Sequence, residues 1–279
     1  MTTNIYNLPY ICPKCGENFE MSDSSIVCKN RHSFDRSREG YYNLLLGNTG
    51  GVHGDNREMV LARRAFLSGG YYAPLCSRMS ALVLEYTESG GTVLDAGCGE
   101  GYYTDSVERS LRTRDTDSRV LAFDISKDAV ARTAKRNPNI HAVVAGSYHM
   151  PIATSSVDTV INTFSPMATE EVLRVLHDGG RFILAVPDEE HLFELKALIY
   201  DNPYKNTLSS SEISGFRLLH DERLKYPFAL ESGEAVRSLF MMTPYAYRTG
   251  ARERSRIDDV NSLRVTADFH IYVYEKKRL

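Results

Sequence analysis

The chain has 279 residues, 42% of them hydrophobic and 25% charged, with a formal net charge of −3. That length accommodates one large domain plus a small one, and the balance is that of a water-soluble globular protein. No apolar run reaches the ~18 residues of a membrane span, the first eight residues lack a basic-then-apolar secretory pattern, and the net charge excludes a generally basic surface, so any nucleic-acid contact must be a local patch.

Residues 1–45 read as a small separate module. Three of the five cysteines, Cys12, Cys15 and Cys28, cluster there, while Cys76 and Cys98 lie apart. An odd count gathered at one end argues against a disulfide framework and suits a reducing cytoplasm and a metal site. Cys12-Pro13-Lys14-Cys15 is followed, after twelve residues, by Cys28-Lys29-Asn30-Arg31-His32. Two such pairs on tight turns close a tetrahedron of thiolate and imidazole, the preferred ligands of zinc, with no open position; the metal is therefore expected to be structural. So small a core needs the folding energy that the metal supplies. Around it stand Lys29, Arg31, Arg36 and Arg38, interleaved with Phe34, Tyr41 and Tyr42. Two readings stay open for these: a grip on RNA through phosphates and stacked bases, or a solvated basic face over a small aromatic core.

Residues 46–91 read as a linker and helical lead-in. The run Gly47 to Asn56 is rich in Gly, Asn and Asp. Met59, Leu61, Ala62, Ala65 and Phe66 then keep helical spacing up to Gly69-Gly70, and Leu75, Met79, Leu82, Val83 and Tyr86 keep it beyond. From 92 to 279 strands and helices alternate. Strands are expected at 92–96, 120–125, 141–145, 157–164, 181–186 and 268–274, and helices at 102–112, 127–136, 168–177, 189–200 and 233–241. The pattern predicts an α/β fold with a doubly wound, mostly parallel, Rossmann-like sheet, the final strand being a candidate for antiparallel pairing.

The first strand of that series runs into Asp95-Ala96-Gly97-Cys98-Gly99-Glu100-Gly101, with a helix expected from Tyr102. Glycines let backbone approach a ligand, and the helix start points its free N–H groups at the same place. The spacing is G-x-G-x-G, unlike the dinucleotide G-x-G-x-x-G, and a carboxylate two residues before the first glycine would repel a pyrophosphate but suits a cation such as an amino-acid ammonium. The combination resembles the cofactor loop of S-adenosylmethionine-dependent methyltransferases. Asp124 ends the next strand, where an acid can take two ribose hydroxyls; it could instead cap the following helix, a role Ser126 can also fill. Ser147 stands where many such enzymes carry an acid for the adenine amino group. Asn162 to Pro166 would lie at the carboxyl edge of the sheet, where methyl donor and acceptor meet. Cys98 and Cys76 read as core.

Zinc cluster and glycine loop in one chain resemble a narrower family, the 23S ribosomal RNA guanine-N1 methyltransferases of the RlmA type. The likeness extends through His32-Ser33-Phe34-Asp35, Glu39-Gly40-Tyr41-Tyr42-Asn43-Leu44, Ala62-Arg63-Arg64-Ala65-Phe66-Leu67, Gly70-Tyr71-Tyr72, Gly97 to Tyr103, His191 to Lys196 and Met242-Thr243-Pro244-Tyr245. It implies zinc on Cys12, Cys15, Cys28 and His32, and cofactor contacts at Tyr72, Gly99, Glu100 and His191, joining Asp95, Gly97, Asp124 and Ser147. The implied substrate is one of two neighbouring guanines, according to subtype, in a hairpin loop of 23S rRNA; a homodimer is also compatible with the family. Candidates for the base that removes the guanine N1 proton are His149, Asp188, Glu189 and His191, none assigned. Arg63, Arg64 and the set Arg248, Arg252, Arg254, Arg256 and Arg264 are candidate phosphate contacts, or solvated surface. Two alternatives compete. A small-molecule methyltransferase would leave the zinc module unexplained, and a non-catalytic zinc-containing RNA-binding protein would not need intact Asp95, Gly97, Gly99 and Asp124.

Overall fold

The computed structural model describes residues 8–22, 24–47, 54–208 and 210–278, so residues 48–53 of the expected linker lie outside the described residues. The N-terminal module carries an antiparallel sheet of β1 (Phe19–Ser22), β2 (Ser25–Cys28) and β3 (Ser33–Asp35). Strands this short cannot enclose a core. Phe19 meets Phe34 edge-on at 5.6 Å, and Tyr10, Phe19 and Ile26 bury themselves against a face of the larger sheet. β4 (Tyr42–Asn43) leaves the module and joins the edge of that sheet.

Asn56 caps α1 (Arg57–Ser68) by accepting the Met59 N–H at 3.0 Å, and the Gly69-Gly70 turn separates it from α2 (Ala73–Tyr86). Then follow β5 (Thr92–Ala96), α3 (Tyr102–Arg114), β6 (Arg119–Asp124), α4 (Lys127–Arg136), β7 (Ile140–Val144), β8 (Val157–Thr163), α5 (Thr169–Val175) and β9 (Leu176–Pro187). The chain ends with α6 (Phe193–Ile199), β10 (Phe216–Leu230), α7 (Gly233–Met241), α8 (Tyr245–Arg248), α9 (Ala251–Asp258) and β11 (Leu263–Lys276). The sheet order is β10-β11-β9-β8-β5-β6-β7-β4. Strands β4 to β9 pair in parallel, and β11 runs antiparallel to both β9 and β10. The winding reverses between β5 and β8, which opens a crevice above their carboxyl ends, the place where doubly wound folds bind ligands.

Side chains alternate across each strand. Val93, Ile161 and Ile183 enter a cluster with residues of α2, α3, α6 and α7, whereas Leu94, Val160 and Phe182 enter one shared with α5 and the zinc module. Part of the second face is thus covered by the zinc module, where helices alone were expected. Several segments depart from the sequence reading, the helices α8 and α9 among them. β10 was not anticipated. The helix expected over 168–177 yields to β9 at Leu176. The helix expected over 189–200 starts only at Phe193, because Leu192 adopts φ 53° and the turn before it is tied to β11: Asp188 N–H reaches the Asp268 carbonyl at 2.8 Å, and Glu190 N–H its carboxylate at 3.0 Å.

Candidate cofactor cleft and metal centre

Two backbone turns assemble the metal ligands. Gly16 N–H donates to the Cys12 carbonyl (2.8 Å) and Arg31 N–H to the Cys28 carbonyl (2.7 Å), which folds each pair back on itself. The donor atoms of Cys12, Cys15, Cys28 and His32 all lie within 4.8 Å of one another. His32 Nδ1 is 3.5 Å from Cys12 Sγ and 3.4 Å from Cys28 Sγ, and the sulfurs of Cys15 and Cys28 are 3.6 Å apart. Ordinary Zn–S and Zn–N bonds in a tetrahedron separate the ligands by roughly 3.5–3.8 Å, so the donor set fits zinc and fills all four positions. The module is sewn to the sheet beside it. The Tyr10 hydroxyl reaches the carbonyls of Ala122 (3.2 Å) and His141 (2.6 Å), Ile11 N–H that of Pro151 (3.0 Å), and Leu44 N–H that of Val144 (2.9 Å).

The glycine loop crosses the carboxyl end of β5. Gly97, at φ 91°, is forced by its neighbour: a Cβ there would stand 2.0 Å from Ser165 Oγ. At Gly99 a Cβ would meet nothing nearer than Arg63 Cδ at 4.0 Å, so its missing side chain leaves open space. Gly99 N–H donates to Asp124 Oδ2 (3.0 Å), and Ser126 N–H to Asp124 Oδ1 (2.8 Å). The cap of α4 is Ser126, which accepts the Ala129 N–H, and Asp124 lines the cleft. Burial pushes the Asp124 carboxyl up from its ordinary range. Asp95 sits behind the loop, 2% exposed, accepting the Thr104 hydroxyl at 2.6 Å; burial pushes it up to about 7.

A cavity of about 940 Å³ opens at this edge, within the range of small-molecule sites. Gly97, Gly99, Asp124, Ser147 and Phe164 line it, together with Ile11, Cys12 and Pro13 of the zinc module. A second space of about 40 Å³ shares Arg63, Gly97, Gly99, Thr163 and Phe164 with it and adds Tyr72, Glu100 and Tyr103. The expected cofactor residues therefore fall into two groups that meet at Gly97 and Gly99: Asp124 and Ser147 in the large cavity, Tyr72 and Glu100 in the small one. Asp95 and His191 line neither. His191 stands one bond back. Its Nδ1 accepts the Asp268 N–H (3.3 Å) and its Nε2 is 3.3 Å from the Tyr72 hydroxyl. Burial lowers its pKa to about 3, so the ring is neutral at pH 7, carries its proton on Nε2, and donates it to Tyr72. The Tyr72 hydroxyl hydrogen is left to point elsewhere.

Among the four candidate bases, only exposed His149 lines the large cavity. Asp188 is occupied by Arg223 (3.1 Å) and His270 (3.2 Å), and Glu189 is exposed away from both spaces. In the arginine set, Arg256 pairs with Asp201 (2.6 Å) and Arg254 bonds the carbonyls of Thr249 and Ala246, whereas Arg252 and Arg264 are exposed; the Arg248 side chain lies outside the described residues. Arg64, Lys29, Arg31 and Arg38 are exposed as well. Thr163 falls within the Asn162 to Pro166 run expected at this edge, whereas the sequence does not single out Tyr103 as a cleft residue and reads Arg63 as a candidate phosphate contact or solvated surface. They come from α1, α3 and β8, which contribute to the lining of one space, and no local spacing signals that.

Comparison with known proteins agrees with this geometry. A zinc-ribbon family described as RlmA, N-terminal, matches residues 10–47, and a family described as methyltransferase domain matches residues 93–180. The chain is 30% identical over 252 residues to the 23S rRNA (guanine(748)-N(1))-methyltransferase of Streptomyces fradiae, covering 88% of each chain. A Micromonospora griseorubida protein named "Putative 23S rRNA (guanine-N(1)-)-methyltransferase" is 33% identical over 67% of this chain and 69% of its own. A solved structure from Bacillus halodurans C-125 shares the fold, with a TM-score of 0.50 at 15% identity, over 72% of this chain and 100% of that one. Zinc ribbon, glycine-loop cleft and near full-length similarity together place this chain in the family of 23S ribosomal RNA (guanine-N1) methyltransferases.

Proposed function

We propose that this protein transfers the methyl group of S-adenosylmethionine to N1 of a guanine in a hairpin loop of 23S rRNA. The observation that carries this reading is a single cavity lined by both the glycine loop and the zinc module. A donor held by the loop and an RNA loop held by the module would meet inside it. When bound, S-adenosylmethionine supplies an activated methyl on a sulfonium.

The chain's own residues bind, orient and exclude water. Asp124 takes the ribose hydroxyls, Ser147 the adenine edge, and the Gly97 and Gly99 backbone the space between. Tyr72, oriented by His191, and Glu100 hold the amino-acid end, while Asp95 supports the loop from behind through Thr104. Holding acceptor nitrogen and methyl in line supplies much of the rate. His149, the one candidate base that lines the cavity, receives the guanine N1 proton, and a loop guanine is cheaper to extrude than a paired one. Cys12, Cys15, Cys28 and His32 hold a structural zinc, and the exposed Lys29, Arg31, Arg38 and Arg64 grip phosphates. The free thiols suit a cytoplasmic protein, and two copies would clasp the RNA between them. Among the described residues no helix is long and apolar enough to cross a membrane.

Mass mapping of 23S rRNA from cells with and without the protein tests the reading. One N1-methylguanine in a hairpin loop should disappear on deletion and return on complementation. An isolated hairpin transcript should accept labelled methyl, and the same transcript with that guanine replaced by adenine should not. Unchanged rRNA together with an inert transcript would refute it.

A further inference from the structure

Of the buried side-chain nitrogen and oxygen atoms that lack a hydrogen-bond partner among the described residues, four belong to residues lining the small space beside the glycine loop: Arg63 Nε, Glu100 Oε1, Tyr103 Oη and Thr163 Oγ1. Buried polar groups are rarely left unpaired, and a cluster of them around one space implies a polar occupant. That space holds about 40 Å³, room for roughly three waters, or for one amino-carboxylate head.

The charges point the same way. Arg63 is the one cation lining this space and Glu100 the one carboxylate. They do not pair with each other; each is held by a different partner. Asp55 takes Arg63 Nη2 at 2.7 Å, and Arg136 takes Glu100 Oε2. These pairings leave Arg63 Nε–H and Glu100 Oε1 without a partner, available to an occupant with a negative and a positive end. Asp55 also accepts the Ser126 hydroxyl on its backbone carbonyl at 2.6 Å, and Ser126 N–H is bound to Asp124. The segment that braces Arg63 therefore also braces the carboxylate assigned to the ribose.

We propose that Arg63, an arginine of the helical lead-in, binds the carboxylate of the α-amino-acid end of the methyl donor through Nε, opposite Glu100 on the ammonium, so that Arg63 serves the cofactor and not the RNA. This rests on the proposed function. In this arrangement Glu100 meets the ammonium, and Asp95, lining neither space, supports the loop.

The test is calorimetric binding of two probes that share a nucleoside and thioether: S-adenosylhomocysteine, which has the amino-acid end, and 5′-methylthioadenosine, which lacks it. In Arg63→Met the first should weaken about 10- to 100-fold, the loss of one charge-assisted hydrogen bond, while the second stays within about twofold. Arg63→Lys, which keeps the charge but loses the Nε–H, should fall between, and decides the matter if Arg63→Met does not fold. An unchanged preference for S-adenosylhomocysteine in these variants, or an equal loss of both probes, overturns the inference while leaving the methyltransferase reading in place. Failure of the unaltered protein to bind either probe overturns both.

Discussion

Replacing Gly97 by alanine tests whether the glycine loop is shaped by its neighbour as well as by its ligand. The residue adopts φ 91°, and an added Cβ would stand 2.0 Å from Ser165 Oγ and 2.4 Å from Ser165 Cβ, with Ser165 Cα next at 3.8 Å. A positive φ costs an alanine about 1–2 kcal/mol. Contacts more than 1 Å too short must be relieved by displacing the 162–166 turn, at an overpacking cost of about 1–3 kcal/mol. The sum is roughly 2–5 kcal/mol. The two contributions separate experimentally, because Ser165→Gly removes both clashing atoms and leaves the next contact at an ordinary distance. Urea denaturation of the single and double variants should show a coupling of about 1–3 kcal/mol, the double variant keeping only the conformational cost. S-adenosylhomocysteine affinity should recover in parallel. A loss below about 0.5 kcal/mol in Gly97→Ala, or no rescue by Ser165→Gly, would refute the packing argument, since a surface-like tolerance is what a loop free of the turn would show.

Cys28→Ser should abolish bound zinc and the protection of residues 10–47 from hydrogen exchange, because metal binding contributes on the order of 10 kcal/mol to modules of this size; full protection without metal would count against a structural role. His191 is held neutral by burial, its pKa lowered to about 3, so its contribution is complete above the unfolded value near 6.5 and is lost as pH falls towards 3, at up to ~1.4 kcal/mol per unit. Asp95, raised to about 7 by burial, acts oppositely: its contribution is complete below about 4 and is lost as pH rises through 7. Denaturation at pH 4.5 and 7 should therefore show His191→Gln tilting the stability profile towards acid and Asp95→Asn tilting it towards neutral pH; equal tilts would contradict both assignments. Arg223→Met should cost about 3 kcal/mol, since it strips Asp188 and Asp268, 1% and 0% exposed, of their shared cation; a fall below 1 kcal/mol would show that His270 and the backbone suffice.

Where local pattern and tertiary structure agree, the sequence is a sufficient guide. The apolar runs of β5, β6 and β8, buried on both faces, announce themselves, as do the capped α1 and the Cys/His spacing. β10 does not, because it is an edge strand along which half-buried and exposed positions alternate and which carries Arg217, Asp221, Glu222, Arg223 and Lys225. The turn at 188–192 has helical spacing, but its backbone donors are claimed by Asp268, a residue about 80 positions away. In the cleft, the glycines are legible because backbone geometry demands them at fixed intervals, and Asp124 and Ser147, which line the cavity, because they end or follow the second and third strands of the series. Arg63 and Tyr103 are not, since an arginine on a helix face looks the same whether it meets a phosphate or a buried carboxylate. The relay from Asp268 through His191 to Tyr72 is likewise a product of β11 returning beside β9.

β4 occupies the outermost position of the sheet beside β7, yet it precedes every other strand of that sheet in the chain. The ligands of the metal centre span only Cys12 to His32, so the ribbon can load zinc as soon as that segment leaves the ribosome. Its docking sites at His141, Val144 and Pro151 are synthesised about 100 residues later, after several seconds of elongation. For that interval a metal-loaded ribbon must wait with Tyr10 and Phe19 uncovered, and the finished β7 in turn presents an unpaired edge until the ribbon arrives. A chain whose Tyr42–Asn43 segment has not yet docked therefore has an open strand edge to offer to its neighbours.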